Sequence, residues 1–526
     1  MEEWAPVLPN PENWSAKPMA SPKNAALALF ASILVSAPQS ARQKDAEKEA
    51  LSRARESLRD RQETPRREAA QACLRINNEK SIELLLDVLN EANPHSRDIV
   101  WESLPSFTDR YARKRVEKEL KENRKNSDVR EWCVDLLGRF GDAEFGPSVE
   151  KALADREIGV KRAAAHALGR LRYAPAASKL DAIAKDRSTD PRLRANAVEA
   201  LARIDADAHR ARFEEALGDP DGGVRCAVLG AMPAIYDDAA PEASAKALRD
   251  ADWRPRMQAV DNLAAKRTRA SVDALVEASG DERPAVRERA IAALRKHTGM
   301  KWTLKAQWAE WWRENRESFV EVEEPATASA SAAASASASA TSAAGEHKYV
   351  TYNGITVQSD HVAFLIDKSS DMTKTLSSER REKSEVALDE LDATLSRLDP
   401  GLLFNVYCYA EELTPFKKRP VELDEKSRKA AVAFVKKAEH EGLKNIWHAL
   451  STVIEDPLID TVFLLSSGEP EVGTYVHWNR VTEHLKDLNR FHKVVIHTIA
   501  YSDYKWYRDQ LEKIAEATGG QFAFKE

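Results

Sequence analysis

The stretch "FLIDKSSDM", residues 364–372, leaves an apolar run through Asp367, Ser369 and Asp371. Alternate residues of an extended chain face the same way. The spacing sets two carboxylates and a hydroxyl at alternate positions, hard oxygen donors of the kind Mg²⁺ or Ca²⁺ takes. Ser467 closes a later apolar run that reads as a strand of the same sheet, and Lys444 lies between two helical segments. A charged lysine has no lone pair for a metal ion. At ~4 Å from Mg²⁺ it would be repelled by roughly 8 kcal/mol at an effective dielectric of ~20.

The rest of the chain offers little other chemistry. It contains no HExxH, P-loop, GxSxG or dinucleotide fingerprint. His166 falls at a helical position and His497 within a strand, where packing is the expected role. Cys73, Cys133, Cys226 and Cys408 are far apart and form no CxxC pair, so neither a disulfide framework nor a zinc site is indicated. The chain is expected not to be an enzyme.

The elements that must position Asp367 alternate between strand and helix. "HVAFLID", "LLFNVYCYA", "TVFLLSS" and "VVIHTIAY" read as buried strands, separated by amphipathic helices near 379–398, 425–440, 445–455 and 475–489. A last helix near 506–518 leads to an edge strand, "QFAF". This alternation predicts a mostly parallel, doubly wound sheet. Such sheets bind ligands beyond their carboxyl strand ends, where Asp367, Lys444 and Ser467 all fall.

The N-terminal half repeats itself. One basic residue recurs at Arg66, Arg97, Arg130, Lys161, Arg194, Arg225, Arg256 and Arg287, at spacings of 31 or 33 residues. Each unit carries two stretches of helical apolar period around a short turn. Stacked hairpins of this kind form a solenoid with a continuous core. The basic residues are expected to bond carboxylates and carbonyls at the joints between units, with Asp128, Asp190, Asp221 and Asp252 as upstream partners. Trp308, Trp311 and Trp312 share one helical face, with Trp302 just before them, and are expected to cap the last unit.

Composition fixes the boundaries. Residues 325–345 contain no charge and no apolar side chain larger than alanine. Such a segment cannot bury enough surface to order itself and is expected to be a flexible tether that lets the halves move independently. The chain thus divides into a targeting segment (1–42), the solenoid (43–320), the Ala/Ser linker (321–347) and the α/β domain (348–526). The apolar run Asn24–Val35 has signal-peptide length. Met19 would give it a short basic lead-in, and export to a periplasmic or extracellular location is expected; the alternative is a first helix of a cytoplasmic array. The 79 Lys and Arg against 85 Asp and Glu leave a net charge of -6, which does not favour nucleic acid as a partner.

The repeats resemble bacterial HEAT repeats. "FLIDKSSDM", "GLKNIWHAL", "FLLSSGEPEVG" and "VVIHTIAYSD", in that order, resemble landmarks of a von Willebrand factor type A (vWA) domain, a Rossmann-like α/β fold. That resemblance implies a metal-ion-dependent adhesion site (MIDAS) with a D-x-S-x-S loop, a threonine from a second loop and an aspartate from a third. Here Asp367 and Ser369 remain, while Asp371, Lys444 and Ser467 replace the other three residues, so the site is read as degenerate. Two readings follow from the resemblance: Asp367, Ser369, Asp371 and Ser467 hold Mg²⁺ or Ca²⁺ in a remodelled site, or, as we expect, no cofactor is bound and Lys444 forms a salt bridge to Asp367, Asp371 or both. The expected function is a non-enzymatic protein-interaction scaffold, with Tyr475, His477 and Trp478 of "GTYVHW" near the site and Tyr475 and Trp478 as candidate partner anchors. The alternatives are a metal-dependent adhesion or assembly module and a HEAT-like DNA-repair enzyme, the latter disfavoured by the acidic balance.

Overall fold

The computed structural model describes residues 41–236, 240–321 and 350–525. The run Asn24–Val35 and the Ala/Ser segment lie outside the described residues. The N-terminal half consists of α1 (Ala41–Ser57), α2 (Glu63–Ile76), α3 (Glu79–Leu89), α4 (Pro94–Ser103), α5 (Arg110–Glu122), α6 (Ser127–Phe140), α7 (Gly146–Ala152), α8 (Ile158–Arg170), α9 (Ala177–Lys185), α10 (Pro191–Asp205), α11 (Arg210–Ala216), α12 (Gly222–Tyr236), α13 (Ala240–Ala247), α14 (Trp253–Ala265), α15 (Arg269–Ala278), α16 (Pro284–Thr298) and α17 (Lys305–Asn315). The recurrent basic residues fall on α2 and then on every even-numbered helix to α16, and these helices form one row.

Four joints in the row are built from recurrent arginines. Arg130, Arg194, Arg225 and Arg256 each make a two-pronged pair with an aspartate 25 residues onward: Asp155, Asp219, Asp250 and Asp281, at 2.6–3.0 Å. The backbone carbonyls of Asp219, Asp250 and Asp281 in turn accept from Arg225, Arg256 and Arg287 of the next unit. Each of these aspartates is therefore gripped by two successive arginines, and a fork-to-fork pair fixes geometry as well as charge. The acidic residues expected as partners do something else. Asp190, Asp221 and Asp252 cap helices by accepting from the backbone N–H groups of Leu193, Gly223 and Arg254, donors that a helix start leaves unpaired. At the far end Trp308 and Trp312 are buried, and Trp302 meets Trp308 edge-on at 5.1 Å.

The C-terminal half contains β1 (Thr351–Tyr352), β2 (Ile355–Thr356), β3 (His361–Asp367), β4 (Thr375–Leu376), β5 (Arg381–Glu382), α18 (Lys383–Leu395), β6 (Leu403–Tyr409), β7 (Leu413–Pro415), β8 (Val421–Glu422), α19 (Glu425–Lys437), α20 (Ile446–Ile454), β9 (Thr461–Ser466), α21 (Trp478–Asn489), β10 (Val495–Tyr501), α22 (Lys505–Thr518) and β11 (Phe522–Lys525). The main sheet has the order β11-β10-β9-β3-β6-β7, parallel except where β7 and β8 pair antiparallel with β6. These two short edge strands, bounded by Pro415 and Pro420, have no counterpart in the sequence reading.

Strand alternation sorts the core. Val362, Phe364 and Ile366 face α18 and α19, whereas Ala363 and Leu365 face the opposite side, where α20, α21 and α22 pack. That second side does not end at its helices. Tyr475, Trp478, Leu485, Leu488 and Phe491 share one apolar cluster with Trp101, Trp132 and Trp253 of the helical row. The two halves are thus docked, where the tether composition predicted independent movement. The gain from burying these aromatic groups outweighs the freedom of the connection.

Candidate functional site

Two strand ends and a loop between helices meet at the predicted place: Asp367 ends β3, Ser467 follows β9, and Lys444 lies between α19 and α20. Asp367 ends β3 fully buried and accepts from the backbone N–H of Ser369 (2.8 Å) and from the N–H and hydroxyl of Ser467 (2.8 and 2.7 Å). Ser369 and Ser467 approach each other at 3.5 Å through their hydroxyls. Lys444 is 1% exposed; its Nζ lies 2.7 Å from Asp371 Oδ2 and 2.7 Å from Glu471 Oε2. Lys374 also pairs with Asp371. Of the two carboxylates considered for Lys444, it bonds Asp371; Asp367 is turned to the Ser467 loop.

The charge states follow from this packing. Burial opposes the Lys444 ammonium, but its hydrogen bonds to Asp371 and Glu471 outweigh that cost and hold its pKa above the ordinary lysine value. Burial would raise the Asp371 pKa, yet the hydrogen bonds from Lys374 and Lys444 bring it down to about 2. Tested as a cation site, the donor set carries its own cation. Asp367 is occupied by three donors, and the oxygens of Asp371 and Glu471 close on an ammonium.

Glu471 escaped the sequence reading. It sits two residues beyond Glu469 in a loop with no donor spacing to mark it, and only the fold turns it back on Lys444. Its backbone N–H and that of Val472 both bond the Lys444 carbonyl (2.9 and 3.3 Å), and its carboxylate accepts from the Lys444 N–H. Another acid–imidazole cluster, Asp360, His361 and Asp460, lies at the opposite ends of the strands, where Arg283 of the helical row supplies a cation 3.1 Å from Asp460.

Tyr475 and Trp478 require a correction as anchors for an outside partner. They are 5% and 2% exposed, buried by the chain's own helical row. Tyr475 stacks on His484 at 3.9 Å and lies under the Arg480 guanidinium, which also covers Trp101. Residues 475–477 precede α21 instead of extending it, because the N–H groups of Val476 and His477 donate to Asp98 at 2.7 and 2.9 Å. Beyond this clasp run ion pairs from Arg139 to Glu483, Arg192 to Asp487 (3.0 Å), Arg490 to Glu199 (2.7 Å) and Lys493 to Asp261 (3.3 Å).

Histidines in this junction are split by their neighbours. Burial opposes the His477 imidazolium, but Glu102, 3.1 Å from Nδ1, keeps its pKa above the ordinary value. His166 and His484 are pushed well below it, first by burial and then by arginines, including Arg490 against His166 and Arg480 against His484. His497 is buried under Phe463, its pKa pushed to about 4, and accepts from the Gln521 N–H. These are packing and pairing roles.

An α-solenoid docked on a doubly wound sheet with a charged strand-end cluster defines the class. Residues 114–192 are HEAT repeats and residues 360–524 are a von Willebrand factor type A domain, each matching the profile of that family. Among solved structures, the chain is similar to the CpcE–CpcF complex of phycocyanin lyase from Nostoc sp. PCC7120 (20% identity, 45% of this chain and 94% of that chain, TM-score 0.29). It is also similar to a von Willebrand factor type A protein from Catenulispora acidiphila (18%, 33% and 40%, 0.27) and to human deoxyhypusine hydroxylase (18%, 49% and 99%, 0.23). No curated protein matches the chain. Among the described residues no helix is long and apolar enough to cross a membrane.

Proposed function

We propose that this chain is a non-enzymatic protein-interaction scaffold whose vWA strand-end site works without a metal ion. Both domain types are protein-interaction modules. The observation that carries the reading is the Lys444 ammonium, buried between Asp371 and Glu471 at 2.7 Å each. An internal cation of this kind removes the open coordination position through which a metal would bridge to an acidic group on a partner. Recognition then rests on shape and side-chain chemistry. Beside the site, Tyr504 and Trp506 are 70% and 48% exposed and both pack on Tyr507, giving a contact surface in place of the buried Tyr475 and Trp478.

The reading extends to export of the chain, which N-terminal sequencing of the mature protein tests. The binding reading is tested by capturing partners from host extracts with the full chain, with and without EDTA. Capture that is unchanged by EDTA and lost in a Tyr504→Ala/Trp506→Ala variant supports it. Capture abolished by EDTA and restored by Mg²⁺ overturns it in favour of a metal-dependent adhesion module.

A further inference from the structure

A cavity of about 180 Å³ opens on the sheet face turned away from the helical row, between α18 and α19. Ile366, Met372, Ala387, Leu388 and Val435 form its apolar wall, and Asp367, Ser384, Glu385 and Lys436 also line it. Its polar end holds Lys368 and His440. Lys368 is 5% exposed; its Nζ donates to the Val435 carbonyl at 3.0 Å and lies 2.8 Å from His440 Nε2. A lysine ammonium has only donors, so the imidazole accepts through Nε2 and keeps its proton on Nδ1. Among the described residues no carboxylate lies within ion-pair distance of Lys368; Asp367 attracts it only from farther off and takes its hydrogen bonds from Ser369 and Ser467.

A buried charge with no directly bonded counter-charge is costly, and proteins pair such groups or bring a ligand to them. One ammonium proton and the Nδ1–H of His440 stay unassigned to protein acceptors at the head of an apolar cavity. An apolar cavity of about 150 Å³ accommodates benzene, so this one holds a body of that size. We infer that the cavity is a binding site for a small monocarboxylate with a compact apolar body, its carboxylate on Lys368 and its body against Met372, Leu388 and Val435. Because the cavity faces away from the helical row, a ligand reaches it with the halves docked. Through Lys368 it adjoins Asp367, but the inference stands whether or not the strand-end site binds metal.

Benzoate titrated into the full chain by calorimetry tests this. The neutral isostere benzamide and inorganic phosphate, an anion without an apolar body, serve as controls. The expected result is saturable benzoate binding with Kd at or below about 1 mM, and binding of both controls at least about tenfold weaker. Lys368→Met should weaken benzoate by about tenfold or more. Should that variant misfold, Leu388→Trp, which fills the cavity from its partly exposed wall and keeps the ammonium, should abolish binding. Absence of benzoate binding, equal binding of benzamide or phosphate, or binding that survives both substitutions overturns the inference.

Discussion

Replacing Lys444 with threonine trades the buried ammonium for a hydroxyl and leaves Asp371 and Glu471 facing an empty position. Two ion pairs at 2.7 Å are each worth about 6 kcal/mol of Coulomb attraction at an effective dielectric of ~20. Taking the three charges out of water offsets most of that gain. Removing one partner of a buried ion pair typically costs 3–5 kcal/mol, because the remaining charge is stranded. Asp371 keeps Lys374, and both carboxylates are about 30% exposed, so the lower end, about 3 kcal/mol, is expected. The same substitution creates a pocket of oxygen donors, and Mg²⁺, Mn²⁺ or Ca²⁺ should fill it. At about 100 times its Kd a metal restores about 2.7 kcal/mol. Thermal unfolding of the full chain and calorimetric titration check both halves of the prediction. Tight metal binding by the unaltered protein, or a Lys444→Thr variant as stable as the parent, would refute the reasoning.

Arg194→Leu should destabilise the solenoid by about 3–5 kcal/mol by stranding Asp219, and adding Asp219→Leu should recover a good part of that in urea unfolding. Trp478→Ala, which empties a fully buried position in the junction, should cost about 3–5 kcal/mol and speed hydrogen exchange in α21 and in the facing helices. Docking should weaken in mild acid. His166 and His484 are held below the usual histidine value, and His492 is pushed to about 4, so the docked state binds fewer protons than the separated one. Its stability is present above about pH 6.5 and is lost as pH falls through that value. His477, held high by Glu102, and Glu131, pushed up to about 7 by burial, act in the opposite sense but are outnumbered by the three depressed histidines. Hydrogen exchange of α21 compared at pH 7.5 and pH 5.5 checks the sign, and slower exchange at the lower pH would contradict it.

How much of this was legible in the sequence depended on whether a signal repeats. The eight units announced themselves because their phase is held over the whole array, and the buried strands β3, β6, β9 and β10 because each is an apolar run bounded by helical periods. The meeting of Asp367 and Ser467 followed from strand ends in a parallel sheet, whereas Lys444, on a loop between two helices, was placed by the family resemblance. The partners of the recurrent arginines did not follow, since nothing local distinguishes the aspartate 25 residues onward from the nearer one that caps a helix. Glu471 was invisible for a similar reason: a loop carboxylate acquires its role only when the backbone turns it inward. Docking was beyond reach because an apolar stripe on α21 looks the same whether it covers its own sheet or a distant helix as well. Tyr475 and Trp478, read as anchors for an outside partner, are buried against the other half of the same chain, which the sequence pattern alone does not show.

The apolar cluster that crosses from the helical row into the sheet domain has a practical consequence for anyone dissecting this protein. A cut at the Ala/Ser segment, the obvious place to make one, would expose Trp101, Trp132 and Trp253 on one fragment and Trp478, Leu485 and Phe491 on the other. Fragments made this way should prove sticky when expressed separately and should regain solubility when co-expressed, behaving as two pieces of one folding unit.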